Sequence, residues 1–261
     1  RINPIKAKAL PQANAKEKTS VTQHITTKKS LMYQTQKGFT LIELLIVITI
    51  AAVMAVIALP NMSEWIASRR AASQAEQVAN LLRFARAEAV RLNLPVYVCP
   101  VKVRKNGLAD GKCDSSQKSS GLLAYADKNR DKAYENDTSD ISLRSIVLND
   151  TDPAKVFHTF QHVAFGKDNA DDGEAVFWSF MPNGTFGYTT SKTLDKSTTF
   201  KYSDGYIKIS MTDKAATTEE TKKSRASIVL IDSSGRVEIC AKSDSRPLCQ
   251  YSESQSPEPK K

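Results

Sequence analysis

The sequence lacks the short motifs that mark the common enzyme classes. It has no GxSxG nucleophile elbow and no GxxxxGK[ST] phosphate-binding loop. It has no CxxC pair, so zinc-binding and thioredoxin-type chemistry have no support. None of its cysteines has the sequence context of a free nucleophile. We therefore predict that the chain is not an enzyme and that it needs no cofactor.

Histidine is scarce, with three residues in the whole chain. His158 and His162 are four apart, but the glutamate of the zincin motif is missing between them. Their segment has the composition of a strand, where residues i and i+4 share a face but sit about 13 Å apart. We predict ordinary surface or core histidines and no metal site.

A calcium loop is only partly present. Asp127, Asn129 and Asp131 have the spacing of its first three ligands, but Lys132 stands where an EF-hand needs glycine and Thr138 where it needs glutamate. This pattern favours a β-turn rich in Asp and Asn over a tight calcium site.

The basic excess is also smaller than it first looks. The chain has a formal charge of +9, from 37 Lys and Arg against 28 Asp and Glu. Eight of those bases and one of those acids lie within residues 1–38, so the rest of the chain carries about +2. Net charge is therefore weak evidence for a nucleic-acid partner.

One long hydrophobic run is present, residues 39–59, and its only charge is Glu43. As a helix, 21 residues are long enough to span a bilayer core of about 30 Å. A carboxylate within such a segment costs roughly 2.5–3.5 kcal/mol on insertion scales, although less near a membrane face. We predict a transmembrane half of a helix over residues 39–60, in which Glu43 has a partner or a purpose.

The start of this run resembles the processing site and helix of type IV pilins and type II secretion pseudopilins. The resemblance rests on Lys37, on Gly38-Phe39-Thr40-Leu41-Ile42-Glu43, on the apolar run and on Pro60 at its end. It implies cleavage between Gly38 and Phe39 by a prepilin peptidase, which then methylates the Phe39 amine. It also implies that Glu43 pairs with the terminal amine of a neighbouring subunit.

The resemblance further implies partners and a location. The partners are other major and minor pilins, the prepilin peptidase/N-methyltransferase and an inner-membrane assembly platform. The location is the bacterial inner membrane, with a single pass and a periplasmic C-terminal domain, followed by the pilus. Residues 1–38 are then the leader. Residues 1–31 have no apolar period, and Met32 makes a suitable start, so we expect residues 1–31 to be an upstream over-extension.

The four cysteines all follow the apolar run, and they allow three connectivities. Local pairs, Cys99 with Cys113 and Cys240 with Cys249, enclose short loops and are favoured over the other pairings and over free thiols. Paired cysteines fit an oxidising compartment such as the periplasm.

After the apolar run the pattern favours a continuing helix, kinked at Pro60. Apolar residues then recur at alternating spacings of four and three, which predicts an amphipathic helix over residues 61–92. The stripe consists of Ala71, Ala75, Val78, Leu82, Ala85, Ala89 and Leu92. The helix should end at Asn93-Leu94-Pro95.

The remainder, residues 93–250, predicts a β domain, followed by a loose tail at 251–261. Strands are expected at 96–103, 121–126, 143–148, 156–165, 175–181, 186–188, 206–211, 227–231 and 236–240. Residues 104–120 and 212–225 are expected to be loops. The predicted fold class is α+β, a long N-terminal helix packed on an antiparallel β-sheet or β-sandwich.

Three further stretches make the domain resemble the GspH/FimT family. They are Ala126-Asp127-Lys128-Asn129-Arg130-Asp131, Phe180-Met181-Pro182-Asn183-Gly184 and Gly235-Arg236-Val237-Glu238-Ile239-Cys240. The loop from Cys240 to Cys249 is more similar to the FimU-type pilus proteins than to the secretion proteins.

Within that family, FimT-type proteins are implied to bind DNA through a Gly-Arg-x-Arg element. Here the second arginine position is Glu238, which repels phosphate. Arg236, Lys242 and Arg246 remain as candidates for a weak DNA contact. The main expectation is a minor type IV pilin that takes part in pilus assembly. The alternatives are a GspH-like pseudopilin of the type II secretion system and a FimT-like DNA-binding pilin in DNA uptake.

Overall fold

A computed structural model describes residues 38–135, 139–150, 158–166 and 171–252, without the side chains of residues 57–61 and 171. The predicted leader up to residue 37, the start at Met32 and the tail from residue 253 onward lie outside the described residues. The chain divides into two compact units, residues 1–49 and 50–261. Each unit is described by itself below.

The first helix, α1 (Leu41–Leu92), is continuous over 52 residues and belongs to both units. Thr40 begins it, because its hydroxyl oxygen accepts a hydrogen bond from the Glu43 N–H at 3.2 Å. Helical structure continues through position 60, as predicted. The side chain of Pro60 lies outside the described residues, so the kink stays a prediction. Across the part of the chain that the structure describes, no helix is both long enough and apolar enough to cross a membrane.

The predicted apolar stripe of α1 is confirmed in the second unit. Its six residues from Ala71 to Ala89 are fully buried, and Leu92 is partly buried against the same core. Helix α1 ends where the sequence predicts. Asn93 has a φ of +53°, a left-handed conformation that asparagine tolerates, and Pro95 follows two residues later.

Thirteen strands and a second helix follow among the described residues. They are β1 (Val96–Pro100), β2 (Lys102–Val103), β3 (Ala109–Asp110), β4 (Gly121–Ala126), β5 (Ile141–Val147), β6 (His158–Phe165), β7 (Asp171–Glu174), β8 (Phe177–Phe180), β9 (Phe186–Thr189), β10 (Lys201–Tyr202), β11 (Tyr206–Asp213), α2 (Glu219–Arg225), β12 (Ser227–Asp232) and β13 (Val237–Ile239).

The strands form two larger sheets and one small one, and each described pairing is antiparallel. The six-stranded sheet has the order β10-β9-β8-β1-β4-β5, and the five-stranded sheet has the order β13-β12-β11-β6-β7. Strands β2 and β3 pair with each other. The predicted α+β class with an antiparallel domain is confirmed.

Successive side chains along each strand point to opposite faces of the larger sheets, and each face packs against its own apolar core. On β11, Ile207 and Ile209 point into a core that also contains Val78 of α1 and Trp178 of the six-stranded sheet. The opposite face of the six-stranded sheet packs a second cluster around Tyr125 and Phe177. Because both faces are covered, β1 and β4 are buried along their whole length.

The largest error in the sequence-based assignment is the loop predicted over residues 212–225, where the structure has α2. Thr218 and Thr221 cap its start reciprocally, each hydroxyl accepting the other's N–H at 3.2 Å. Acidic residues then occupy the first turn and basic residues the last, which suits the helix dipole. This segment is polar on all sides, so it carries no apolar period that could have predicted a helix.

Several short strands are also absent from the prediction. Strands β3 and β10 have two residues each, and β7 is acidic and contains glycine. Their pairing depends on the neighbouring strand and not on their own composition. The predicted strand 96–103 is broken at Val101, whose N–H donates to the Gly121 oxygen at 3.0 Å.

Candidate functional site

The N-terminal segment of the described chain is open around the predicted cleavage position. No described atom lies within 4 Å of where a side chain would begin at Gly38. Phe39 is 84% exposed and precedes the first helical turn. Within these residues nothing blocks access of a peptidase to the Gly38–Phe39 bond.

Glu43 occupies the first turn of α1, where its backbone N–H is capped by Thr40. Its carboxylate is exposed and has no hydrogen bond or ion pair with any residue in the described ranges. Thr40 and Glu43 have the spacing of a capping box, so the helix start needs their residue types for a local reason as well. The carboxylate itself is left available for a partner outside the chain.

The side chains that follow Glu43 form an extended exposed apolar surface. Between positions 41 and 56 the large apolar side chains are each 47–82% exposed. They are Leu41, Ile42, Leu44, Leu45, Ile46, Val47, Ile48, Ile50, Val53, Met54 and Val56. Soluble monomers rarely expose contiguous apolar patches of this kind, so this surface needs a lipid or protein environment.

Both predicted disulfides are present. Cys99 bonds Cys113, and Cys240 bonds Cys249, each with its Cα atoms 5.6 Å apart. The first bridge ties β1 to the loop after β3. The second closes the segment after β13, and Cys249 ends a short 3-10 turn, Pro247–Cys249.

The terminal disulfide loop packs on the outer face of the five-stranded sheet. Cys249 and Tyr251 join Ile228 and Leu230 of β12 in a small apolar cluster. Lys208 of β11 lies buried beneath this loop, and its ammonium donates to the Gln250 carbonyl and to the Ser252 hydroxyl. Burial lowers the pKa of Lys208. Sequence reasoning missed this lysine, although a charge inside the apolar strand 206–211 was a signal.

Two of the three candidate DNA contacts are engaged within the chain. Lys242 donates to the carbonyl oxygens of Ser224 and Ala226, both at 2.6 Å, and burial lowers its pKa. Arg246 forms ion pairs with Asp244 at 2.6 Å and with Glu238. The structure therefore brings Glu238 and Arg246 together, so the acid at the Gly-Arg-x-Arg position neutralises one of the remaining bases.

Arg236, the third candidate, stays exposed on the tight turn between β12 and β13. The carboxylate of Asp232 accepts hydrogen bonds from the N–H groups of Ser234 and Arg236, both at 2.9 Å. The partial burial of Asp232 works to raise its pKa, but a hydrogen bond from the Ser234 hydroxyl, the two backbone hydrogen bonds and the charge of Arg236 together hold the pKa below its usual range. The Arg236 side chain therefore extends from a turn whose backbone is held in place.

The Asp127 loop has the geometry of a turn. The Asp127 carboxylate accepts from the backbone N–H of Arg130 at 2.6 Å and of Lys132 at 3.0 Å. Burial raises its pKa against the opposing effect of these hydrogen bonds. With both oxygens used by the backbone, the arrangement matches the predicted Asp- and Asn-rich turn.

The histidines are core residues. His158 and His162 are both buried on β6, and His162 lies edge-on to Trp178 with ring centroids 5.5 Å apart. Neither ring nitrogen of His162 has a hydrogen-bond partner among the described residues. Burial lowers the pKa of His162 to about 4.

Sequence profiles identify two regions of the chain. Residues 33–59 match the prokaryotic N-terminal methylation motif, which includes Gly38, Phe39 and Glu43. Residues 74–212, more than half of the chain, match the family described as type II transport protein GspH. The chain belongs to this family. It is therefore a member of the type IV pilin superfamily, whose proteins are structural components and not enzymes.

Individual proteins resemble the chain less strongly. The type IV major fimbrial protein FimA of Dichelobacter nodosus is 28% identical over 172 residues, which cover 62% of this chain and 91% of FimA. Two crystal structures of the type IV minor pilin FimU of Pseudomonas aeruginosa PAO1 have TM-scores of 0.35 and 0.32 with 14% and 16% identity. They cover 67% and 66% of this chain and 92% and 94% of FimU.

Proposed function

We propose that this protein is a minor subunit of a type IV pilus that assembles through its N-terminal helix. The observation that carries the proposal is the exposed apolar surface of residues 41–56, which follows an open Gly38–Phe39 bond and contains one charge, Glu43. A surface of this kind can be held in lipid and then transferred to a bundle of equivalent helices, because both environments keep it out of water.

Glu43 gives the assembly its register in this proposal. Its carboxylate has no partner within the described chain, and an unpaired carboxylate in an apolar bundle is costly. The new amine at Phe39, created by cleavage after Gly38, is a cation that a neighbouring subunit can place beside it. Only the correct axial offset between subunits joins the two charges.

A pseudopilin of the type II secretion system is the second candidate, because the family match at residues 74–212 carries the description type II transport protein GspH. Processing and the assembly helix would be the same in that machine. FimA, one of the relatives, is described as a major fimbrial protein, so the experiment also measures the abundance of this protein in the filament.

A DNA-uptake pilin is supported less well. Lys242 and Arg246 are occupied by carbonyl groups and carboxylates, and phosphate would have to displace them. DNA binding stays a prediction that rests mainly on Arg236.

The experiment is quantitative mass spectrometry on filaments sheared from intact cells. Under the main proposal, a peptide starting at N-methylated Phe39 is present at a small fraction of the most abundant pilin. An abundance equal to that of the most abundant pilin would make the protein a major subunit. The pseudopilin would be favoured by a processed form that is confined to the cell envelope and absent from sheared filaments, and whose loss also abolishes secretion activity. An uncleaved Gly38–Phe39 bond in all fractions would contradict every assembly proposal.

A further inference from the structure

Three arginines surround a groove of about 630 Å³ beside the turn that joins β12 to β13. Arg83 and Arg86 come from α1, and Arg236 comes from the turn. The floor between them is apolar and consists of Ala87, Val90 and Val237. All of these residues belong to the second unit.

The groove is built on rigid supports. Arg83 donates from Nη2 to the Val237 carbonyl oxygen at 3.1 Å, which ties α1 to the hairpin. Arg86 follows three residues later and lies on the same side of the helix. Gly235, with a φ of +74°, packs against Phe180 and Phe186 so closely that a Cβ would lie 3.1 Å from Phe186 Cβ. The backbone that carries Arg236 is therefore fixed against the core.

The positive charge of this groove is only partly offset within the described residues, because Asp232 interacts electrostatically with Arg236 from beyond ion-pair distance. No carboxylate among them lies within ion-pair distance of Arg83, Arg86 or Arg236. Four other arginines each pair with a carboxylate at such a distance. They are Arg91, Arg104, Arg225 and Arg246. Three guanidinium groups around one groove repel each other, so a bound anion would lower the electrostatic free energy.

We propose that this groove binds an acidic peptide segment of a partner protein. Guanidinium groups bind carboxylates through paired hydrogen bonds, and three of them can hold a segment with two acidic side chains. Val90 is 58% exposed although it lies among these charges. An apolar side chain of the same segment can cover it, so the groove selects acidic residues next to an apolar one.

A nucleic acid fits the groove less well than a peptide. Asp232 and Glu238 lie close to Arg236 on the same hairpin and would repel a continuous phosphate backbone. No aromatic side chain is among the described residues that line the groove, so bases would have no ring there to stack on. A short peptide can place its carboxylates on the arginines and avoid both acids.

The test uses the mature full chain in detergent and a fluorescein-labelled octapeptide of alternating glutamate and leucine, with binding followed by fluorescence anisotropy. The groove variant is Arg86→Gln/Arg236→Gln. The control is Arg91→Gln/Arg104→Gln, which removes the same charge from arginines outside the groove. We expect the groove variant to lose at least tenfold in affinity and the control to change by less than twofold. Tryptophan fluorescence checks that both variants are folded.

Two further measurements keep the result unambiguous. Val90→Glu adds a carboxylate to the floor and leaves the arginines in place, and it should abolish peptide binding as well. A peptide with glutamine in place of glutamate should not bind. Equal loss in the groove and control variants would overturn the proposal. The proposal would also be overturned if the wild type bound single-stranded DNA but not the acidic peptide, and the groove variant lost that DNA binding. None of these readouts depends on filament assembly, so they can fail independently of the proposed function.

Discussion

At the residue scale, the most unusual side chain of the core is His162. It stacks on Phe160, meets Trp178 edge-on and is 1% exposed. Because burial lowers its pKa to about 4, the folded protein keeps it neutral while an unfolded histidine titrates near 6.5. Between these values the unfolded state binds more protons, so the free energy of unfolding falls as the pH falls from about 6.5 to 4.

This difference in the His162 pKa between the folded and unfolded states predicts that His162→Leu makes the free energy of unfolding less sensitive to acid. The wild type should lose about 3 kcal/mol through this group between pH 7 and pH 4, and the leucine variant should not. Chemical unfolding of the mature chain, followed by tryptophan fluorescence at several pH values, measures both slopes. Identical slopes for the two proteins would show that His162 titrates normally.

Glu238 is the residue that separates this chain from the implied Gly-Arg-x-Arg element, and the structure pairs it with Arg246. Glu238→Arg removes that partner and adds a second base beside Arg236. We expect single-stranded DNA to bind at least severalfold more tightly at low salt, with a steeper salt dependence. Glu220→Arg on α2 makes the same charge change elsewhere and serves as the control. Equal gains in both variants would indicate a net-charge effect only.

At the element scale, the buried stripe of α1 consists mostly of alanine. Ala75, Ala85 and Ala89 are fully buried in a core to which both larger sheets contribute side chains, so a larger side chain there would have to displace its neighbours. The spacing of these residues alone predicts the helix and its buried face. It cannot show that both sheets contribute to the same core, because that depends on residues far away in the sequence, such as Trp178 and Ile207.

The stripe predicts that Ala85→Leu destabilises the protein by about 1–3 kcal/mol, because the core must rearrange to accept three more heavy atoms. Ala87→Leu, two residues later on the exposed side of the same helix, is the matched control and should change stability by less than 0.5 kcal/mol, roughly the usual surface effect. Melting temperatures of both variants measure the difference. A larger loss for the exposed variant would contradict the helix orientation.

The terminal disulfide loop is the second element with a testable role. Cys240→Ser/Cys249→Ser should lower stability by about 2–3 kcal/mol on loop-closure estimates. It should also expose the segment from Gln250 to Ser252 to proteases, because the loop holds that segment over Lys208. Ser245→Ala in the same loop keeps the bridge and should melt like the wild type. An unchanged melting temperature for the double variant would show that the bridge adds nothing.

At the scale of the whole molecule, assembly and folding are expected to be separable. Glu43→Ala should strongly reduce incorporation into sheared filaments, because the terminal amine of the neighbour loses its counter-charge. The melting temperature of the β domain should not change, since the Glu43 carboxylate makes no hydrogen bond or ion pair with any of the described residues. Glu64→Ala, a later acid on the same helix, is the control. Normal incorporation of the Glu43 variant would contradict the pairing proposal.

Several features of this protein follow from local sequence pattern. The apolar run with its single acid, the amphipathic stripe, the helix end at Asn93, most of the longer strands and the two short-range disulfides could all be predicted. Each of these follows from residues a few positions apart, where side-chain period, backbone preference and loop length act directly. The family resemblance rests on the same local motifs.

The partners of the isolated charges, in contrast, are visible only in the folded chain. Long-range packing places Lys208 under the terminal segment, pairs Glu238 with Arg246, and brings Arg236 next to Arg83 and Arg86. It also forms strands such as β7 and β10, whose own composition does not favour a sheet. The physical reason is that pairing and burial depend on partners distant in sequence, and a local pattern contains no information about them.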